Sequence, residues 1–296
     1  MRRGEQEGKE KMNEAEMAVM SGGVVNTAWS PVLVVLSYLI ASLAAYTALD
    51  LAGRVVNSIG VARKVWLFGG AAAMGLGIWS MHFVGMMALS LNVNGEQVGM
   101  GYNLPVTVLS VLIAMGASAV ALYTVSRESM GIKQLAIAGP IMGIAIAGMH
   151  YTGMAAMRMA VEINWNYAVV GLSVLIAIAA SVVALFLAFR FGRTEGNLKF
   201  VLMGVAALVM GVAIVGMHYT GMAAASYAAL DLARVMEGSH ASHGSLGYGV
   251  GFATLLVLGF ALVASTLDRR YAAQARALNA RLAAQQRAQQ VASQEG

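Results

Sequence analysis

Apolar residues run along this chain in long continuous stretches. Seven of those stretches carry no charge for about 18 residues or more, a length of helix that crosses the hydrocarbon core of a bilayer. They fall at 31–49, 66–90, 104–125, 134–157, 167–189, 200–227 and 246–267. Continuous rather than alternating apolar runs favour helices over barrel strands. Small residues recur inside the runs (Gly69, Gly70, Gly75 and Gly77 in the second), which suits close helix packing in lipid. The pattern predicts an all-α, polytopic membrane protein with seven transmembrane helices.

Composition agrees. Hydrophobic residues make up 59% and charged residues 11% of the 296, and the mean hydropathy is +0.70. That is too little charge to coat a soluble surface, so a cytoplasmic globular enzyme, a disordered chain and an ordinary nucleic-acid-binding module are excluded. The net charge of +5 belongs instead to the loops. Thirteen basic residues, among them Arg54, Arg63, Lys64, Arg127, Arg193, Lys199 and Arg269, follow spans 1, 3, 5 and 7, whereas the other side carries only Arg158 and Arg234. The positive-inside rule then places the C-terminus in the cytoplasm and the N-terminus outside. The N-terminal tail, with Arg2, Arg3, Lys9 and Lys11 set among five glutamates, argues the other way but weighs less. No cleavable signal peptide is evident. Cysteine is absent, which removes disulfides, thiolate catalysis and Cys-ligated metals. Any soft-metal site must use histidine and the 21 methionines.

Self-comparison supplies the strongest signal. His82, His150 and His218 are spaced 68 residues apart. The blocks around them read MGLGIWSMHFVGMMA, MGIAIAGMHYTGMAA and MGVAIVGMHYTGMAA from Met74, Met142 and Met210. Met, Gly, Ile, Met, His, Gly and Met occupy identical offsets in all three. Each repeat holds two spans, so the repeats run parallel about an axis normal to the membrane. Their bounds are about 31–98, 99–166 and 167–234, followed by helix 246–267. A polar tail over 1–27 precedes the membrane domain of 28–268, and a helical tail over 269–296 follows it. Helices 2, 4 and 6 become equivalent, and their histidines share one depth, roughly 10–14 Å inside the outer end.

On a helix, residues four apart share a face, which pairs His82 with Met86, His150 with Met154 and His218 with Met222. Met81, Met149 and Met217 stand beside the histidines, two turns above Met74, Met142 and Met210. Thioether with imidazole favours copper, as Cu(I), over zinc, magnesium or calcium, and no carboxylate lies near any block. The bland alternative is that these side chains simply pack or bond across helices; threefold repetition at fixed spacing argues against it. Glycines 75, 85, 143, 153, 211 and 221 would admit a neighbouring helix or a ligand. The hydroxyls of Tyr151, Thr152, Tyr219 and Thr220 are placed either to hold the second ring nitrogens or to support the ligands from one layer further out. Elsewhere, His240 and His243 form an i,i+3 pair that reads as loop. Asp50 reads as the end of span 1, Trp29, Trp66, Tyr102, Trp165 and Tyr167 as interfacial anchors, and Trp79 as either a lid on the site or core.

The strings Met149-His150-Tyr151-Thr152 and Met217-His218-Tyr219-Thr220 resemble the signature of the MHYT domain family, bacterial integral membrane sensors. The resemblance covers roughly residues 28–268. It implies copper held by the motif's Met, His and Tyr, which adds Tyr151 and Tyr219 to the ligand set, and sensing of oxygen, carbon monoxide or nitric oxide. The first block departs, reading Met81-His82-Phe83-Val84, so it lacks both hydroxyls. Many relatives continue into cyclase, phosphodiesterase or kinase domains. The end at Gly296 leads us to expect no catalytic domain here, and so no enzyme. Tyr271, Ala275, Leu278 and Leu282 follow a weak coiled-coil spacing, which reads either as a docking strip for a cytoplasmic signalling protein or a second copy, or equally as a solvated, frayed tail. The expected partners are membrane lipid, a gas and that protein, without nucleic acid. A sensor is the leading expectation and a copper transporter the alternative; for a membrane metalloenzyme no acid, base or substrate pocket is apparent.

Overall fold

A computed structural model describes residues 25–93, 96–127, 131–159, 161–194, 196, 198–229 and 243–295. Its helices are α1 Pro31–Asn57, α2 Gly60–Met87, α3 Leu104–Val125, α4 Ile132–Ala156, α5 Tyr167–Gly192, α6 Leu198–Ala223 and α7 His243–Glu295. All seven are long and apolar enough to cross a membrane. Residues suited to helix starts open the odd helices. Ser30 precedes Pro31, and the side chains of Asn103 and Asn166 accept backbone N–H bonds from the first turns of α3 and α5. The tight turn into α2 passes through Gly60 at φ 57°, a left-handed conformation that favours glycine.

α1 to α6 form a ring in chain order, each helix touching the next, and α6 closes the ring against α1. α7 lies outside it, against α1 and α2. The even helices converge at one end, where the histidines are. The odd helices converge at the other, where Gly53 of α1 meets Gly192 of α5 and Asn57 Nδ2 donates to Gly192 O at 3.3 Å. We term these the strand end and the basic end.

Short strands cap the first of them: β1 Val25–Trp29, β2 Leu89–Val93, β3 Glu96–Gln97, β4 Gly101–Tyr102, β5 Met157–Arg158, β6 Val161–Trp165 and β7 Ala225–Ala229. In every repeat the strand leading into the odd helix pairs antiparallel with the strand leaving the even one: β1 with β2, β4 with β5, β6 with β7. Three backbone bonds, each 2.8 Å, fasten these junctions: Ser30 N to Ala88 O, Asn103 N to Ala156 O and Asn166 N to Ala224 O. The three acceptors recur at the same period as the histidines. Spans placed at 66–90 and 200–227 therefore overrun the helices, because the apolar run continues into the strands and absence of charge does not mark the change of backbone. The histidines consequently lie five or six residues from their helix ends rather than seven to nine. The polar-tail boundary at 27 falls inside β1, and the boundary at 268 falls inside the continuous helix α7.

Asp50 does not end α1. The helix continues for two turns to Asn57, and Asp50 is buried, accepting hydrogen bonds from Ser265 and Arg269 of α7. One turn on, Arg54 Nη1 meets Asp268 Oδ2 at 2.6 Å. Residues i and i+4 of α1 thus clasp neighbouring residues of α7 with opposite charge order. Removing Asp50 takes charged hydrogen bonds from Ser265 and from the partly exposed Arg269, a loss of about 1.5–3 kcal/mol. Asp50→Ala is expected to lower the melting temperature in detergent accordingly; unchanged melting would show that the clasp is a surface pair of little consequence.

Candidate metal centre

The three histidines, from α2, α4 and α6, meet on the axis of the ring. All are buried, and one ligand atom of each lies within 4.8 Å of the others. Nδ1 of His82 stands 3.1 Å from Nδ1 of His218 and 3.1 Å from Nδ1 of His150. The rings meet edge to face, with centroids 4.7–5.1 Å apart. The opposite edge of each ring is seated on a glycine of another repeat: His82 Nε2 on Gly153, His150 Nε2 on Gly221 and His218 Nε2 on Gly85. A Cβ at any of these glycines would fall well inside van der Waals contact with the imidazole. The motif glycine three residues after each histidine is therefore the socket for a different histidine, and the three sockets close a cycle. The other motif glycines admit neighbouring helices. A Cβ on Gly75 would meet the backbone of Met115 at 2.6 Å, and one on Gly143 that of Ile178 at 2.5 Å.

The expectation that motif hydroxyls hold the second ring nitrogens is not met, since none of the three Nε2 atoms has a hydrogen-bond partner among the described residues. The hydroxyls turn outward. Tyr151 OH bonds Ser173 Oγ at 2.6 Å and Tyr219 OH bonds Ser37 Oγ at 3.2 Å. Their rings stand edge-on to His150 and His218. Trp165 and Trp29, expected as lipid anchors, cross the faces of these tyrosines. In the first repeat Phe83 lacks the hydroxyl, and the position one period before Ser173 is Pro105. Donor and acceptor are thus lost together. Trp79, one turn before Phe83, supplies the tie from α2 to α3, its Nε1 donating to Ser110 Oγ at 3.1 Å, and it stacks on Phe83 rather than over the histidines. Sequence reasoning does not pick out Ser37, Ser110 and Ser173; the available signal is a hydroxyl in an apolar run that matches a motif tyrosine across the repeat.

Met81, Met86, Met149, Met154, Met217 and Met222 are all buried in the same layer. Met86, Met154 and Met222 belong to the apolar cluster that, with Phe83, Leu91 and Val161, roofs the histidines at the strand end. Burial in that cap raises the phenol of Tyr227 to about 12, so it stays neutral. Below the histidines lies a cavity of about 400 Å³ lined by Met74, Met142 and Met210 with Ile78, Ile146 and Ile214. These residues stand at the same two offsets of the three blocks. His240 lies outside the described residues, so its pairing with His243 is not placed.

Three converging Nδ1 atoms cannot satisfy one another. Nδ1 of His82 carries either one proton or one lone pair, so its two 3.1 Å contacts cannot both be hydrogen bonds. A cation that receives all three lone pairs resolves the conflict. Nitrogens about 2.0–2.1 Å from a metal in trigonal or tetrahedral array lie about 3.3–3.6 Å apart, close to the observed spacing. No Asp or Glu joins the group among the described residues. With neutral ligands only, the ion's charge is uncompensated in a low-dielectric layer, and the Born cost grows with its square, about fourfold from a monovalent to a divalent ion. Three neutral imidazoles fit a transition-metal ion, and the lack of a carboxylate among the described residues favours low charge.

A ring of six helices in three parallel repeats, closed over an axial histidine triad, defines a multi-pass membrane protein with a buried candidate metal centre. Comparison with known proteins gives the family. The MHYT profile, described as a bacterial signalling protein N terminal repeat, matches residues 75–138 and 143–199, two segments that begin one period apart at motif glycines. This chain belongs to the MHYT family of membrane signalling proteins. It is 46% identical over 257 residues to the bifunctional diguanylate cyclase/cyclic di-GMP phosphodiesterase MucR of Pseudomonas aeruginosa, a match covering 87% of this chain and 36% of that protein. It is 42% identical over 200 residues to the cyclic di-GMP phosphodiesterase NbdA of the same species (67% and 25%). With signaling protein YkoW of Bacillus subtilis it shares 36% identity over 251 residues (83% and 30%). The chain thus spans about a third or less of the length of these relatives. No solved structure matches it.

Proposed function

We propose that the Nδ1 atoms of His82, His150 and His218 hold one Cu(I) ion, and that the protein is a membrane sensor in which a diatomic gas or a redox change at that centre alters how the even helices meet. The convergence of three imidazole nitrogens on the axis carries this reading. When bound, the ion supplies an open coordination position for a small neutral ligand. The chain's own residues orient the rings on Gly85, Gly153 and Gly221, exclude water through the strand cap, and keep the site uncharged. Met81, Met86, Met149, Met154, Met217 and Met222 supply soft, polarisable walls and reserve donors. Tyr151 and Tyr219 are positioning residues, because their hydroxyls belong to serines of the next helices. The basic end faces the cytoplasm of a bacterial inner membrane and the histidines the outer side, in keeping with the distribution of Lys and Arg. Through α7 the change reaches a cytoplasmic signalling protein or a second copy that docks along 269–296.

The test is metal analysis after reconstitution with Cu(I). About one copper per chain is expected, and protein that retains none overturns the proposal. Tyr151→Phe should keep its copper and cost about 1 kcal/mol for the lost hydroxyl pair. If it instead loses copper entirely, the phenol is a ligand.

Copper transport is a second reading, favoured by two tiers of thioethers along the cavity, Met81 and Met217 above Met74, Met142 and Met210. Past the lower tier, towards the basic end, the lining is Ala52, Leu122, Val125 and Leu185, with no donor for a departing ion. Vesicles containing the protein are therefore expected to show no Cu(I) flux above empty ones.

A further inference from the structure

The cavity beneath the histidines is too large and too apolar to be left to solvent or to vacancy. A void of about 150 Å³ already holds benzene in a protein core, and this one measures about 400 Å³. Protein interiors otherwise approach crystal packing, so walls facing a gap of this size forfeit their dispersion contacts. A buried water needs two to four polar partners. Ser181 is the sole polar side chain among the described lining residues, the rest being Ala, Val, Leu, Ile and Met.

Its way in is visible. Of the lining residues only Ala179 and Val183 of α5 and Val209 of α6 are exposed, with half of Val183 and 65% of Val209 uncovered. Both helices are membrane spans, so the window between them opens sideways onto lipid. Val183 stands nine residues from Gly192, and Val209 eleven from Leu198, which puts the window roughly 14–16 Å from the basic end at 1.5 Å per residue. That is about the depth of one leaflet of a 30 Å hydrocarbon core, where lipid chains end. At that leaflet's surface the last turn of α5 and its cap carry Arg190 and Arg193, a complement to phosphate headgroups.

We infer that the cavity is a lipid-chain site: the end of one acyl chain, from a phospholipid of the basic-end leaflet, enters between α5 and α6 and lies on the axis among Met74, Met142, Met210 and Ile214. The chain end occupies the axis one tier below the histidines, with Met81 and Met217 between. No metal is required for this.

The probe is a phospholipid carrying a photoreactive diazirine near the end of one acyl chain, in phosphatidylglycerol vesicles holding the full chain without copper. After illumination, labelling is expected on cavity-wall residues such as Ile176 and Ile214, several-fold above that on the lipid-facing Leu172 and Val201. Ala213→Phe, which fills the cavity, and Ala179→Trp, which covers the window from the lipid side, should each reduce wall labelling at least fivefold without lowering the melting temperature. Labelling spread evenly over lipid-facing residues, or wall labelling that survives Ala179→Trp in a protein that melts normally, overturns the inference. Copper content in the same variants reads the metal proposal separately.

Discussion

Replacing His82, His150 or His218 by alanine, one at a time, is expected to drop copper from about one ion per chain to background. Outer partners of a metal ligand already change affinity by 10–100-fold, so loss of one donor in three should exceed about 100-fold. The three variants should behave alike, because each ring presents Nδ1 to the axis and Nε2 to a glycine socket in the same cyclic arrangement. Conservative changes of the neighbouring sulfurs, Met86→Leu or Met154→Leu, should alter affinity much less. Competition with a chromophoric Cu(I) chelator measures all five. If two of the histidine variants keep wild-type copper, the triad is packing and not a binding site.

Gly153→Ala is expected to act on a histidine in another repeat. The added methyl would press on His82 Nε2 well inside van der Waals contact, so the ring or the α4 backbone must shift. Overpacking of this kind costs about 1–3 kcal/mol, and tilting the ring off the axis should weaken copper about tenfold or more. Gly148→Ala is the control: nothing lies within 4 Å of a Cβ there, so gaining a better helix former should be neutral or add up to about 1 kcal/mol. Melting curves and chelator competition on the pair separate the two. Equal behaviour would mean that the glycine socket is not a constraint on His82.

The helices and their quasi-threefold order are legible in the sequence because both have strong one-dimensional signatures, charge-free length and a fixed period between histidines. The period also foretells that His82, His150 and His218 share a level. It does not foretell which face of each even helix turns to the axis; one block contains residues pointing to the triad, the cavity and the next helix alike. The i+4 methionines are expected with imidazole on that face; Met86, Met154 and Met222 are buried and share the apolar cluster at the strand end with Met81. Tyr151 and Tyr219 read as ligands through their place in the motif, whereas their hydroxyls are fixed by Ser173 and Ser37, 22 and 182 residues away. Such distant pairings are set by the closed ring, and no local pattern announces them. Asp50 misleads for a similar reason. A lone acid near the end of an apolar run looks like a boundary unless Arg269, 219 residues later, is known to face it.

The clasp between α1 and α7 has a mechanical corollary. From Asp268 to Glu295 the helix extends without a break for about 40 Å at 1.5 Å per residue. Gripped at its base by two oppositely ordered ion pairs, it behaves as a rigid boom pivoting where α1 holds it, so a tilt of about 5° at the fulcrum sweeps its far tip through about 3–4 Å, by the length that the helical rise sets. Shifts too slight to reshape the bilayer-embedded ring are thereby amplified into displacements the size of a side chain.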